Sequence, residues 1–148
     1  MTARLATADD TAVVIRLVSA LLVELGGQAL TAEAQAVYRT LISGEPGTGF
    51  VMLGGLTEAE PQAVCTVSYV HAMRTMGRYG VIQEMYVEPA LRSTGVGREL
   101  LEAALSESVQ RGCAMVELGT PFQGDRQIQF YERSGFANIG ARLRWRPS

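Results

Sequence analysis

Apolar positions along the chain change their period several times. Val14, Leu17, Val18, Leu21, Leu22 and Leu25 recur at helical spacing behind the N-cap types Thr7-Ala8-Asp9-Asp10, and Gly26-Gly27 ends them. A short apolar start, Ala3 to Ala6, precedes this helix. A second helix is predicted from Thr31 through Val37, Tyr38, Leu41 and Ile42, stopping before Gly44 and Pro46. The first third therefore reads as helical. From Gly49 the pattern becomes that of strands: Phe50 to Leu53 and Ala63 to Val70, joined by a turn at Glu58-Ala59-Glu60-Pro61, predict an antiparallel hairpin. A third run, Tyr79 to Val87, ends at Glu88-Pro89, where proline cannot donate to a ladder.

Beyond it, Leu100, Leu101, Ala104, Leu105 and Val109 make an amphipathic helix ended by Arg111 and Gly112, followed by a buried strand at Ala114 to Leu118. Strand, glycine-bearing loop, helix and strand form a βαβ unit. A last helix, about Asp125 to Ser134, is stopped by Gly135, and Ile139 to Trp145 alternates as a final strand. The order predicts one α/β domain of the α+β type over residues 1–148, a mixed and mostly antiparallel sheet flanked by about four helices.

Composition narrows the chemistry. At 148 residues the chain can bury a sufficient core without disulfides or a structural metal. Its 2 cysteines, Cys65 and Cys113, and single histidine, His71, cannot assemble a Cys/His zinc site, and the cysteine usage suits a reducing cytoplasm. All 13 basic residues are arginine, which excludes a Schiff-base or P-loop lysine. A net charge of −2 lacks the basic footprint of a nucleic-acid binder. The most apolar stretch, Ala12 to Leu25, carries Arg16 and Glu24 and is too short to span a membrane.

The loop Arg92-Ser93-Thr94-Gly95-Val96-Gly97-Arg98 opens the helix of the βαβ unit. A helix N-terminus offers unpaired N–H groups and partial positive charge, and the two glycines let the backbone approach a phosphate closely. Arg92 and Arg98 can add charge-assisted hydrogen bonds. The Walker A pattern fails. A nicotinamide dinucleotide pattern fits in part, with Gly95-x-Gly97 and Glu117 as a ribose acid, but its third glycine is Leu100.

Met85-Tyr86-Val87-Glu88-Pro89 followed by Arg92 to Arg98 resembles the acetyl-CoA signature of the GNAT superfamily of N-acetyltransferases, whose loop is [QR]-x-x-G-x-[GA]. Phe130-Tyr131-Glu132-Arg133-Ser134-Gly135-Phe136 resembles that superfamily's F-Y-x-x-x-G-F segment. The resemblance implies a splayed GNAT-like sheet, acetyl-CoA as cosubstrate without a metal, and transfer to a primary amine of a small molecule or protein. It implies that backbone N–H groups of Ser93, Thr94, Gly95, Val96, Gly97 and Arg98 hold the CoA pyrophosphate. It also implies that Met85 and Val87 pair with the pantetheine arm beside a bulge, the Val87 N–H polarising the thioester carbonyl. Gly124 and Gln127 depart from the family, which often has asparagine and a small residue there.

Tyr131 is the implied acid for the departing thiolate. The same aromatics also suit a Schellman cap, with Gly135 as C′ and Phe136 as C″. Glu84 is the candidate base, placed by strict alternation on one face with Ile82 and Tyr86; a water chain is the alternative, or attraction of a cationic amine by the same carboxylate. His71, Cys65 and Cys113 read as non-catalytic. Arg142, Arg144 and Arg146 alternate with Leu143 and Trp145, a basic face that suits solvated edge charges. The family places the acceptor near Glu24 to Glu33, and its habits make a homodimer an expectation. Two other functions share the loop: an acyl-CoA sensor without turnover, and a nicotinamide-binding protein.

Overall fold

The computed structural model describes residues 2–44, 47–120 and 124–147. The chain forms two compact units, Met1–Leu118 and Gly119–Ser148.

In the first unit five strands lie in the order β1-β2-β3-β4-β5. They are β1 (Thr2–Leu5), β2 (Gly49–Gly55), β3 (Ala63–Ala72), β4 (Gly77–Val87) and β5 (Val116–Leu118). The first three pairings are antiparallel and β4 with β5 is parallel, so the mixed, mostly antiparallel sheet is as expected. β1 corrects the reading of the first third as wholly helical. Its four residues are too few to show a period, and pairing with β2 from Thr2↔Gly55 to Leu5↔Met52 makes them a strand.

Helix α1 (Thr11–Glu24) and helix α2 (Ala34–Leu41) pack on one face of the sheet. Val14, Leu17, Val18 and Leu21 meet Val51, Leu53, Val64 and Tyr86 there, and full burial of a side chain such as Leu17 contributes about 2 kcal/mol. Thr7 and Asp10 form a capping box ahead of α1, and Arg4 grips Asp10 with two hydrogen bonds of 2.8 and 2.9 Å. Tyr38, the buried residue of α2, donates to the Thr7 carbonyl at 2.6 Å. Pro46, expected beyond this helix, lies outside the described residues.

Helix α3 (Val96–Gln110) covers the opposite face, where Leu100 lies over Gly54 and Ser108 over Gly80. It links β4 to the parallel β5, which is the expected βαβ unit.

The second unit holds α4 (Asp125–Arg133). Its end is a Schellman motif: Phe136 N–H donates to Tyr131 C=O at 3.2 Å, Gly135 N–H to Glu132 C=O at 3.0 Å, and Gly135 takes φ +97°. The strand expected over Ile139 to Trp145 is not formed. Alternation alone does not make a strand; a ladder partner is required, and no described strand pairs with this segment, whose Leu143 and Trp145 are exposed.

Candidate active site

The central part of β4 is irregular. Thr66 pairs with Glu84 whereas the next residue, Val67, pairs with Ile82, so Gln83 is an extra residue in the ladder, a β-bulge. The bulge has two consequences. Thr66 and Val67 point to opposite faces, and so do their partners; Glu84 therefore shares a face with Tyr86 but not with Ile82. This corrects strict alternation and sets Glu84 on the side of α1.

The second consequence concerns backbone direction. Glu88 N–H donates to Gln62 C=O at 2.9 Å, so alternation back along β4 aims the Tyr86 peptide groups at β3 and those of Met85 and Val87 at the other edge. On that edge β5 pairs only with Gly80 to Ile82. Beyond Ile82 no described strand pairs with this edge of β4, in keeping with the splay the resemblance implies.

Directly after β4, Pro89–Leu91 makes a turn of 3-10 helix and the chain enters the loop. Ser93 and Gly95 both take the left-handed region, at φ +65° and +96°. For Ser93 that conformation costs on the order of 1 kcal/mol. Gly95 is the N-cap of α3 and, lacking a side chain, leaves the helix without a side-chain cap. The first N–H groups of α3, from Val96 to Arg98, precede the first intrahelical bond, Glu99 N–H to Gly95 C=O at 3.0 Å.

The two loop arginines differ. Arg92 donates through Nε to Val87 C=O at 2.9 Å and through Nη2 to Glu24 at 2.7 Å, and its guanidinium carbon lies 5.4 Å from the centre of the Tyr86 ring. It ties the loop to the end of β4 and to the C-terminal turn of α1. Arg98 pairs with Glu102 one turn along α3 at 3.0 Å, an exposed ion pair of small energetic weight.

Glu84 is half-buried. Its carboxylate accepts from the Thr66 hydroxyl, and its backbone N–H donates to the Thr66 oxygen at 3.0 Å. Thr66, bonded to Glu84, was not singled out by the sequence, and Glu24, bonded to Arg92, entered the expected site only as one bound of the acceptor region the family implies. A lone hydroxyl within the apolar run Ala63 to Val67 was the available signal for Thr66; no local signal marks Glu24, whose partner is 68 positions away. Burial first, and then the Glu84 charge, push the Cys65 thiol up to about 12. Burial also raises Cys113, so neither thiol is an activated nucleophile.

Tyr131 belongs to the second unit. Its ring is half-buried between Phe130, with centroids 5.1 Å apart, and Phe136 at 5.7 Å, both edge-on. These are the contacts of the Schellman cap foreseen for it. Gly124 is the N-cap of the same helix.

The dinucleotide alternative does not suit this architecture. β4 and β5 form the one parallel pair of the five-stranded sheet, and Glu117 is bound to Arg74 at 3.2 Å. Among the described residues no group of His, Cys, Asp and Glu could hold a metal ion, and no helix is long and apolar enough to cross a membrane.

The chain is similar to proteins that carry acetyltransferase names. It is 35% identical over 69 residues to an IAA acetyltransferase of Azospirillum brasilense, covering 47% of this chain and 45% of that protein. It is 23% identical over 90 residues to the thialysine N-epsilon-acetyltransferase of Bos taurus, covering 58% and 53%. These matches span about half the length of each relative. In fold it resembles a Clostridium acetobutylicum protein named a "predicted acetyltransferase" and solved with acetyl-CoA, at a TM-score of 0.80 and 16% identity over 98% of this chain and 95% of that one. The Acetyltransferase (GNAT) family model matches residues 18–136, spanning β4, the loop, α3 and the Phe130 to Phe136 segment, and the chain belongs to that family.

Proposed function

We propose that residues 1–148 act as a single domain that moves the acetyl group of acetyl-CoA directly to a primary amine. One observation carries the reading: the N-terminus of α3, without a side-chain cap and with Ser93 and Gly95 at positive φ, follows directly on a β4 strand whose second half pairs with no described strand along one edge. Anion and extended arm thus meet complementary surfaces in sequence.

The residues present fit the cosubstrate. Backbone N–H groups of Ser93 and of Gly95 to Arg98 would hold the pyrophosphate, while that of Thr94, expected with them, donates to Leu91 C=O at 3.4 Å. Met85 would offer both peptide groups to the pantetheine arm. Val87 would offer only its N–H, directed to the thioester carbonyl, because Arg92 already engages the Val87 carbonyl. When bound, acetyl-CoA supplies the acetyl group and a thiol leaving group. Glu84, on the α1 face, draws in the ammonium form of the acceptor and accepts its proton. The Val87 N–H polarises the carbonyl under attack, and the Tyr131 hydroxyl gives a proton to the leaving sulfur. Relatives named for IAA and thialysine support a small-molecule acceptor. The free thiols Cys65 and Cys113 suit a cytoplasmic enzyme, and light scattering tests the expected homodimer.

The test is a calorimetric and thermal titration with acetyl-CoA, CoA and NADH, followed by thiol release with thialysine, spermidine and a peptide N-terminus as acceptors. Acetyl-CoA at about 100 times Kd should stabilise the protein by about 2.7 kcal/mol. Stabilisation by NADH instead overturns the assignment. A non-catalytic acyl-CoA sensor is the second reading, favoured by the cap contacts that account for the Tyr131 ring. It requires binding without transfer to any acceptor.

A further inference from the structure

We infer that Thr66 is a positioning residue for Glu84, a role that rests on the reading of Glu84 as proton acceptor. Two observations meet here. Thr66 is 3% exposed in a stretch of β3 otherwise filled by Ala63, Val64, Cys65 and Val67, and the other polar residue buried among the described ones, Ser108, bonds back to its own helix at Ala104. The hydroxyl of Thr66 instead bonds Glu84 twice, across the bulge at Gln83.

The hydrogen-bond inventory gives these contacts a direction. A hydroxyl has one proton and two lone pairs. The Glu84 N–H, next to the extra residue, occupies one lone pair of the Thr66 oxygen. The single hydroxyl proton is then directed to the Glu84 carboxylate. Thr66 thereby bonds both the backbone N–H of Glu84 and one of its carboxylate oxygens. The second oxygen remains to receive a proton on the α1 side. A valine would fill nearly the same volume and supply neither bond.

The experiment is a double-mutant cycle on the full chain with Thr66→Val, Glu84→Gln and both together. It uses acetyl-CoA and thialysine, with spermidine as second acceptor. In the wild-type background Thr66→Val should lower kcat roughly 10- to 100-fold while the KM for acetyl-CoA stays within about twofold, and Thr66→Ser should restore most of the loss. In the Glu84→Gln background it should cost less than about twofold further. Equal losses in both backgrounds, or unchanged kcat in Thr66→Val, overturn the inference while leaving the transferase reading intact. A wild-type protein that binds acetyl-CoA but acetylates no amine overturns both. Should Thr66→Val not fold, Thr66→Ala takes its place in the same cycle.

Discussion

At the scale of single residues, side chains of the site have structural duties beside the chemistry proposed for them. The Tyr131 ring packs on Phe136 as the apolar contact of a helix cap, while only its hydroxyl enters the proposed chemistry. Tyr131→Phe separates the two: the cap and the melting temperature should persist, and kcat should fall by about 10²-fold or more with the acetyl-CoA Kd unchanged. Equal turnover in the variant would assign Tyr131 to the cap alone. Asp10 is a structural case. Hydrogen bonds from Arg4, and then from the Thr7 N–H, hold its carboxyl down at about 2, below the usual 3.8. Because the folded value is the lower one, the stabilisation is complete above the ordinary carboxylate range and is lost as pH falls from about 4 toward 2. It amounts to about 2 kcal/mol. Urea unfolding of Asp10→Asn should show that deficit at pH 7 and close most of it near pH 2.

Among elements, legibility followed the locality of the cause. Helix α1, the capping box on the 3-10 turn that leads into it and the stop at Gly135 each follow from neighbouring residues, and all are present. The βαβ unit was legible for the same reason, since loop, helix and strand each carry their own pattern. The resemblance implied a bulge at Met85 and Val87, whereas the extra residue is Gln83; neither that position nor the face of Glu84 could be read from β4 alone, because a bulge is a mismatch in residue count between two strands. The strands at either end of the chain failed in opposite ways. Thr2–Leu5 carries almost no pattern and is paired; Ile139 to Trp145 alternates well and is not. At the loop, Gly95→Ala should cost about 1 to 2 kcal/mol of stability, because alanine resists φ +96°, and weaken acetyl-CoA binding at least tenfold by calorimetry. An unaltered Kd would remove the loop backbone from the binding site.

At the scale of the whole molecule, net charge is small and lysine is absent, so a thioester cosubstrate finds no ε-amino group on the chain to acylate. Mass spectrometry after prolonged incubation with acetyl-CoA should show no side-chain amide adducts. The stretch of β4 that no described strand pairs with has a different global consequence. An edge that accepts an extended arm by backbone pairing accepts any extended chain, and sheet proteins guard such edges against self-association. Arg92, by engaging the Val87 carbonyl, acts as a gatekeeper at the far end of that edge and limits the accessible ladder to a few peptide groups. If the proposed cosubstrate pairs with that edge, it also shields it from self-association: protein loaded with acetyl-CoA should scatter less light on warming than the ligand-free form, and Arg92→Ala should widen the difference.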